Sequence, residues 1–366
     1  MILLLHNRYR TLGGEERAVA DLAWLIETEL GEPAEVLERD SAALSAGRAA
    51  AGLLRGGLDP GEVADAVRRT GARVVHAHNV NPAFGWRALA AARRAGARVV
   101  LHLHNYRLVC ANGICFTHGE DCTRCQGRHT WPGVELNCRG GSRAESLVYA
   151  AALARWQRRL AGSVDHFVVP SAFALSRLRD LRAPVGEAVT VVASVQRDIA
   201  AASGAEDGEF VLFAGRVAEE KGVLDAVAAA RVAGLPIVVA GDGPALERVR
   251  ALGVEAPGRL EPGALAALRR RAAVAIVPSR YSEILPLAAL EAMAAGTPVV
   301  ATRSGGLVEA VPEEGLAPVG DVPALAERLR VLWRDADAGE RALERVRELS
   351  APPRVAARLR AVYDGT

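Results

Sequence analysis

The feature that most constrains this chain is a rhythm that occurs twice. Short runs of Val, Leu, Ile and Ala are each followed by a turn rich in Gly, His, Asn or Ser, then by a segment with helical apolar spacing. Continuous apolar runs alternating with helices specify a parallel sheet covered on both faces. In the first half the runs fall near residues 1–7, 34–39, 73–77, 98–103, 165–169 and 189–193. In the second they fall at 209–214 and in the segments IVVAG, AVAIVPS and PVVAT. A chain of 366 residues exceeds one compact core and suits two α/β domains. Residues 1–197 and 209–350 are the expected domains, with the small, polar segment 198–208 (DIAAASGAEDG) as linker. The C-terminal segment 351–366 is expected to be a helix packing back on the first domain.

Ligands of such sheets bind beyond the carboxyl ends of the strands, so the turns there deserve the closest reading. The richest is within residues 279–296, SRYSEILPLAALEAMAAG. A turn-prone Ser-Arg-Tyr-Ser run carries Glu283. Pro286 is expected at the first helical position, where its missing N–H costs nothing, and the helix it opens carries Glu291. Helical side chains lean towards the N-terminus, so Glu291 is expected to point back to the loop holding Glu283. Free N–H groups and the helix dipole make the same place receptive to an anion. Two carboxylates beside an anion site suit a ligand that is both anionic and rich in hydroxyls, such as a nucleotide-sugar. The plainer alternative is an acidic turn that only complements the dipole.

Lys221 is the only lysine in the chain, against a background of arginine. A compact ammonium reaches a phosphate in a tight site where a planar guanidinium does not. It lies with Arg216 in GRVAEEKG, after the 209–214 strand, and two cations there can neutralise a diphosphate. The alternative is a solvated charge pair with Glu219 or Glu220. The turns Gly241-Asp242-Gly243 and Ser304-Gly305-Gly306 also follow strands. All these turns are thus expected on one sheet edge, facing the first domain across a cleft.

In the first half, Gly13 and Gly14 mark a strand-to-helix turn, read either as a ligand approach or as a plain tight turn. His78-Asn79 and His104-Asn105 sit at equivalent strand ends and are read as site candidates. Residues 105–141 break the rhythm and hold all five cysteines. Cys122 and Cys125 form a C-x2-C, and Cys110 or Cys115 with Cys138 would complete a structural zinc site. Free thiols or a disulfide are the alternatives. Residues 142–161 form a helix that is apolar on one face and ends in Arg155, Arg158 and Arg159. It reads as a core-facing helix or as a peripheral contact with an anionic membrane surface.

Half of the residues are hydrophobic, yet no run reaches the length of a membrane span. MILLLHN has no basic segment before it and reads as a buried strand rather than a signal peptide, so a cytoplasmic protein is expected. The net charge of +2 gives no reason to expect nucleic acid. There are 25 basic and 20 acidic residues up to residue 200, against 20 and 23 beyond it. The first half is therefore the side better suited to an anionic acceptor or a membrane surface.

Taken together, these motifs resemble the retaining glycosyltransferases of family 4. E-x7-E followed by AMAAGTPVVATRSGG is similar to that family's donor-site signature, and the likeness covers nearly the whole chain. The resemblance implies the GT-B fold, two Rossmann-like doubly wound parallel-sheet domains facing a central cleft. It implies diphosphate contacts at Arg216 and Lys221, a donor-sugar carboxylate at Glu283 and a ribose carboxylate at Glu291. Gly13, Gly14, Gly241, Gly243, Ile284, Leu285, Gly305 and Gly306 would line the donor. His104, with His78 and Asn105, would lie near the acceptor. The Cys-rich insert resembles one bacterial subset.

Two departures stand out. Ala193-Ser194-Val195-Gln196 replaces the family's usual Asn-Gly before the linker. Tyr281-Ser282-Glu283-Ile284-Leu285-Pro286 replaces the usual Glu-Pro-Phe-Gly, so donor preference differs from the common glucose type if that region meets the sugar.

The implied reaction is transfer of a sugar, with retention, to a carbohydrate, lipid-linked or small-molecule acceptor, with no catalytic metal. The one D-x-D, Asp335-Ala336-Asp337, lies in a helical region far from the motifs. A non-catalytic partner protein of the same fold, a sugar-nucleotide epimerase and a phosphorylase share the architecture. A phosphorylase would need a second lysine for its cofactor.

Overall fold

The computed structural model describes residues 1–9, 14–139, 141–284 and 286–366. The chain divides into two units: Met1–Thr117 with Cys122–Val195 and Pro352–Thr366, and His118–Asp121 with Gln196–Ala351.

The first unit carries a six-stranded sheet of β1 (Ile2–Arg8), β2 (Ala34–Asp40), β3 (Val74–Ala77), β4 (Arg98–His102), β5 (His166–Val169) and β6 (Val189–Val191). The order is β2-β1-β3-β4-β5-β6, every pairing parallel. The inner strands are largely apolar runs because both their faces are covered, whereas the edge strand β2 reads AEVLERD with no fully buried residue. Ile2, Leu4, Val74, Val100 and Val168 pack under helix Gly14–Leu25 and the C-terminal helix Pro352–Asp364. That last helix belongs to the first unit, where Arg98 Nε donates to the Val362 carbonyl at 2.9 Å.

Helix Arg143–Ala161 opens on Ser142, whose hydroxyl accepts from the Glu145 N–H at 3.0 Å, a capping interaction. The helix buries Tyr149, Leu153, Gln157 and Leu160 in its own unit, as the core-facing reading requires. No helix of the described residues is long and apolar enough to cross a membrane.

The second unit carries β7 (Phe210–Ala214), β8 (Ile237–Ala240), β9 (Glu255–Gly258), β10 (Ala272–Val277), β11 (Val299–Thr302) and β12 (Leu316–Ala317). Its order is β9-β8-β7-β10-β11-β12, again parallel throughout. Counted within the unit this is 3-2-1-4-5-6, the dinucleotide-fold order, whose ligand crevice opens where the order reverses, between β7 and β10.

One expectation needs correcting. Residues 198–208 are not a free linker but part of the second unit. Ala200 N–H donates to the Ala294 carbonyl at 2.7 Å, the Ser203 hydroxyl donates to that of Gly296 at 2.6 Å, and Ala205–Asp207 forms a 3-10 turn. Small side chains let this segment lie close against the helix that precedes β11.

Candidate donor site

The switch point of the second unit brings together Lys221, from the turn after β7, and Glu283, from the turn after β10. Lys221 Nζ lies 2.7 Å from Glu283 Oε1 and donates to Tyr281 Oη at 2.9 Å. The Ser279 hydroxyl donates to the same Glu283 oxygen at 2.5 Å. The Glu283 side chain is 6% exposed and that of Lys221 27%, so the pair is shielded on the carboxylate side and open on the ammonium side. Burial pulls the Lys221 ammonium towards deprotonation, but the Glu283 carboxylate outweighs it and the pKa rises. Burial, with Glu283 beside it, pushes the Tyr281 phenol up to about 12. The site thus presents a fixed cation and neutral hydroxyl donors at neutral pH.

Backbone packing holds these groups. A Cβ on Gly305 (φ +58°) would lie 2.3 Å from the Glu283 carbonyl oxygen and 2.5 Å from its nitrogen. Gly306 N–H donates to that same carbonyl at 2.7 Å. A Cβ on Gly222 (φ +68°) would lie 1.9 Å from the Pro278 carbonyl oxygen, so only glycine lets the Lys221 turn meet the Glu283 turn. Gly241 and Gly243 tuck against the carbonyls of Gly215 and Val217. Gly241, Gly243 and Gly305, expected to approach a donor, and Gly222, which was not, therefore bear on neighbouring backbone and fix four turns as one block.

Several members of this block carry no motif in the sequence. Arg280 forms a bidentate pair with the buried Asp225, both contacts at 2.7 Å, and its N–H donates to the Glu220 carbonyl at 2.9 Å. Thr302 Oγ1 donates to the Ser279 carbonyl at 2.6 Å. The legible signal was Asp225 itself, a carboxylate in the first turn of a helix that is apolar apart from it and Arg231.

Other expected residues sit differently. Arg216 pairs with Glu220, its own side chain 57% exposed and that of Glu220 18%. Glu291 pairs with Arg269 of helix Pro262–Arg270, and both side chains are largely buried. Pro286 is the residue before helix Leu287–Ala294 rather than its first residue; its extended backbone (ψ 102°) keeps it outside. Ile284 is half-buried. Leu285 and Gly13 lie outside the described residues. Asp335 caps helix Ala336–Ser350, accepting from the Ala338 N–H at 2.9 Å, so the D-x-D is a helix start.

In the first unit, His78 Nδ1 and His104 Nε2 are 2.8 Å apart. Asn105 Nδ2 donates to Tyr9 Oη at 3.0 Å, and Gly14 begins helix Gly14–Leu25. His6, His76 and His102, which the sequence reading passed over, join the pair. The rings of His76 and His78 stack at 4.8 Å, and those of His102 and His104 at 4.1 Å. Burial lowers the pKa of His76 to about 3 and shifts His78, His102 and His104 in the same direction, so all four are neutral at pH 7. The signal was the i, i+2 spacing of His76-Ala77-His78 and His102-Leu103-His104, which puts each pair on one face of a strand.

The cysteines are all free thiols, Cys110 and Cys115 buried and the others half-buried. A hydrogen bond from Cys115 and backbone N–H groups of its own loop lower the Cys110 thiol to about 6. Among the described residues, the group that draws three metal-capable atoms within 4.8 Å of one another is not a set of sulfurs but His78, His102 and His104. Cys110 is turned into its own loop, 2.9 Å from Asn112 Oδ1.

Residues 31–194 match the family described as "Glycosyl transferase 4-like domain", and residues 208–335 the family described as "Glycosyl transferases group 1". The sulfoquinovosyl transferase SQD2 of Arabidopsis thaliana is 34% identical over 163 residues, 40% of this chain and 31% of that protein. The chain thus spans about a third of the length of the first curated relatives it matches, 31% and 37%. Two solved structures share the fold over the whole chain. Sucrose-phosphate synthase from Thermosynechococcus elongatus has a TM-score of 0.70 at 18% identity, covering 100% of this chain and 98% of that one. Anabaena HepE in complex with UDP has a TM-score of 0.62 at 15% identity, covering both chains fully. Two adjacent family matches, each on its own parallel-sheet unit, thus identify a glycosyl transferase 4-like domain followed by a glycosyl transferases group 1 domain, in the two-domain fold that those structures share.

Proposed function

We propose that this chain is a retaining glycosyltransferase that moves a sugar from a nucleoside-diphosphate donor to a hydroxyl acceptor. The observation that carries the reading is the Lys221–Glu283 pair at the switch point of the second sheet. Departure of the diphosphate concentrates negative charge on its oxygens, and a preorganised ammonium stabilises that charge most in the transition state. Lys221 is held protonated and shared with a carboxylate, so a diphosphate can take the ammonium while Glu283 turns to sugar hydroxyls. Arg216, freed from Glu220, would join Lys221, and Glu291 would accept from the ribose hydroxyls. A structure of HepE holds UDP-glucose, which makes a uridine nucleotide the first donor to try. The first unit, with His104, His78 and Asn105, is assigned to a carbohydrate, lipid-linked or small-molecule acceptor. A cytoplasmic location, with or without contact at a membrane surface, belongs to the same proposal.

The test is transfer from UDP-glucose to a panel of acceptors, with the anomeric configuration of the product read by NMR. An α-linked product that disappears in Lys221→Ala supports the proposal. A β-linked product, or a Lys221→Ala variant within about tenfold of wild-type turnover, contradicts it, because a transition-state charge contact is worth about 10²–10³ in rate.

A further inference from the structure

The donor site leaves the histidines of the first unit unused. β1 and β3 pair with Leu5 opposite Ala77, and β3 and β4 with Ala77 opposite Leu101. Continuing that register by one residue puts His6, His78 and His102 in one row on one face of the sheet. His76 lies one pleat behind the row and His104 one pleat ahead. Tyr363 of the C-terminal helix closes the rear, its hydroxyl 2.7 Å from His76 Nδ1. His104 is half-buried and forms the open end, whereas His78 is 4% and His102 7% exposed.

This row leaves polar atoms unsatisfied. His78 Nε2 and both ring nitrogens of His102 are buried and have no hydrogen-bond partner. An orphaned buried acceptor or donor bears its full desolvation cost, and nearly all such groups in folded proteins find a partner. Beside them Glu15 Oε1 is also buried without a hydrogen bond, 3.9 Å from His6 Nδ1. Neutral imidazoles with free nitrogens, next to a carboxylate, are a donor set for a borderline transition-metal ion.

We propose that His78, His102 and His104 form a binding site for a divalent transition-metal ion of the zinc class, separate from the donor site. One nitrogen of each lies within 4.8 Å of one nitrogen of the others. Zinc–imidazole bonds of about 2.0–2.1 Å need nitrogens about 3.3–3.5 Å apart, so a ring adjustment of about an ångström closes the set. Three imidazoles leave one position of a tetrahedral ion open, and Glu15 balances its charge. The inference does not rest on the donor-site reading, since its ligands lie in the other unit; it gives His78 and His104, assigned above to the acceptor side, their role there as ligands of the ion.

The test is a cobalt titration of the metal-stripped full chain, followed by visible absorption and by metal analysis. The expected result is a bound ion whose d–d bands appear without a thiolate-to-cobalt charge-transfer band and are displaced by zinc. His102→Phe, which keeps the ring volume, and His104→Asn should each weaken that component by more than about tenfold. Cys122→Ser/Cys125→Ser should leave it intact. The proposal is overturned if wild-type protein binds no cobalt, binds it only with a thiolate band, or if both folded His variants keep wild-type affinity. Should neither His variant fold, the wild-type spectrum decides alone.

Discussion

Replacing Gly305 by alanine tests whether the turn after β11 positions Glu283. The added Cβ would fall 2.3 Å from the Glu283 carbonyl oxygen, against ordinary contact beginning at 3.4 Å. Neither atom belongs to a flexible side chain, so relief requires about 1 Å of backbone movement in the Glu283 turn. Gly305 also has φ +58°, where a Cβ costs about 1–2 kcal/mol. A displacement of about 1 Å at a positioned group costs about 10²-fold in rate, or about 2.7 kcal/mol of barrier.

Gly305→Ala should therefore lose about a hundredfold in kcat, together with at least 1–2 kcal/mol of stability. Gly234→Ala is the control: φ is +74° but nothing lies within 4 Å of the added atom. It should lose comparable stability and leave kcat unchanged. The assays are steady-state turnover of a nucleotide-sugar and denaturant unfolding of each variant. If Gly305→Ala keeps wild-type turnover, or if both variants lose turnover equally, the turn does not position Glu283 and the reasoning fails.

Three further outcomes follow from the same geometry. Arg280→Met should free the 278–283 turn from Asp225, costing about 1–2 kcal/mol in a melt after allowance for the half-exposed guanidinium. It should lower kcat more than it raises KM. Glu291→Gln leaves the buried Arg269 without its carboxylate, so a loss of about 3–5 kcal/mol is expected. In the folded variant, UDP affinity should fall while pyrophosphate affinity stays, since only the nucleotide carries a ribose. Ser142→Ala should cost about 1 kcal/mol through loss of the cap and leave turnover unaffected.

The sheets were legible because most strands are continuous Val/Leu/Ile/Ala runs, a pattern that buried parallel strands require. β9 escaped notice because it is an edge strand reading Glu-Ala-Pro-Gly, with neither apolar continuity nor alternation. Lys221 and Glu283 could be singled out from their rarity and position, but their direct pairing depends on strand order, which the sequence does not print. Gly222 and Gly305 show the same gap from the other side. A glycine that admits a ligand and one that admits a neighbouring backbone look identical until the neighbour is known. Arg216 in its turn and Glu291 in its helix were legible as charges near the right strand ends, but which of Glu219 and Glu220 Arg216 pairs with, and the pairing of Glu291 with Arg269, were not. The row of histidines could be glimpsed in two i, i+2 pairs. Joining them to His6 needed the inter-strand register, which is a three-dimensional fact.

The central claim is a nucleotide-diphosphate site built on Lys221 and Glu283. Calorimetric titration with UDP, GDP, dTDP and ADP, each with and without magnesium, on wild type and Lys221→Ala, tests it most directly. The account predicts that one nucleotide binds without magnesium and that Lys221→Ala loses most of that affinity. Binding that requires magnesium, persists unchanged in Lys221→Ala, or is absent for all four nucleotides would contradict it.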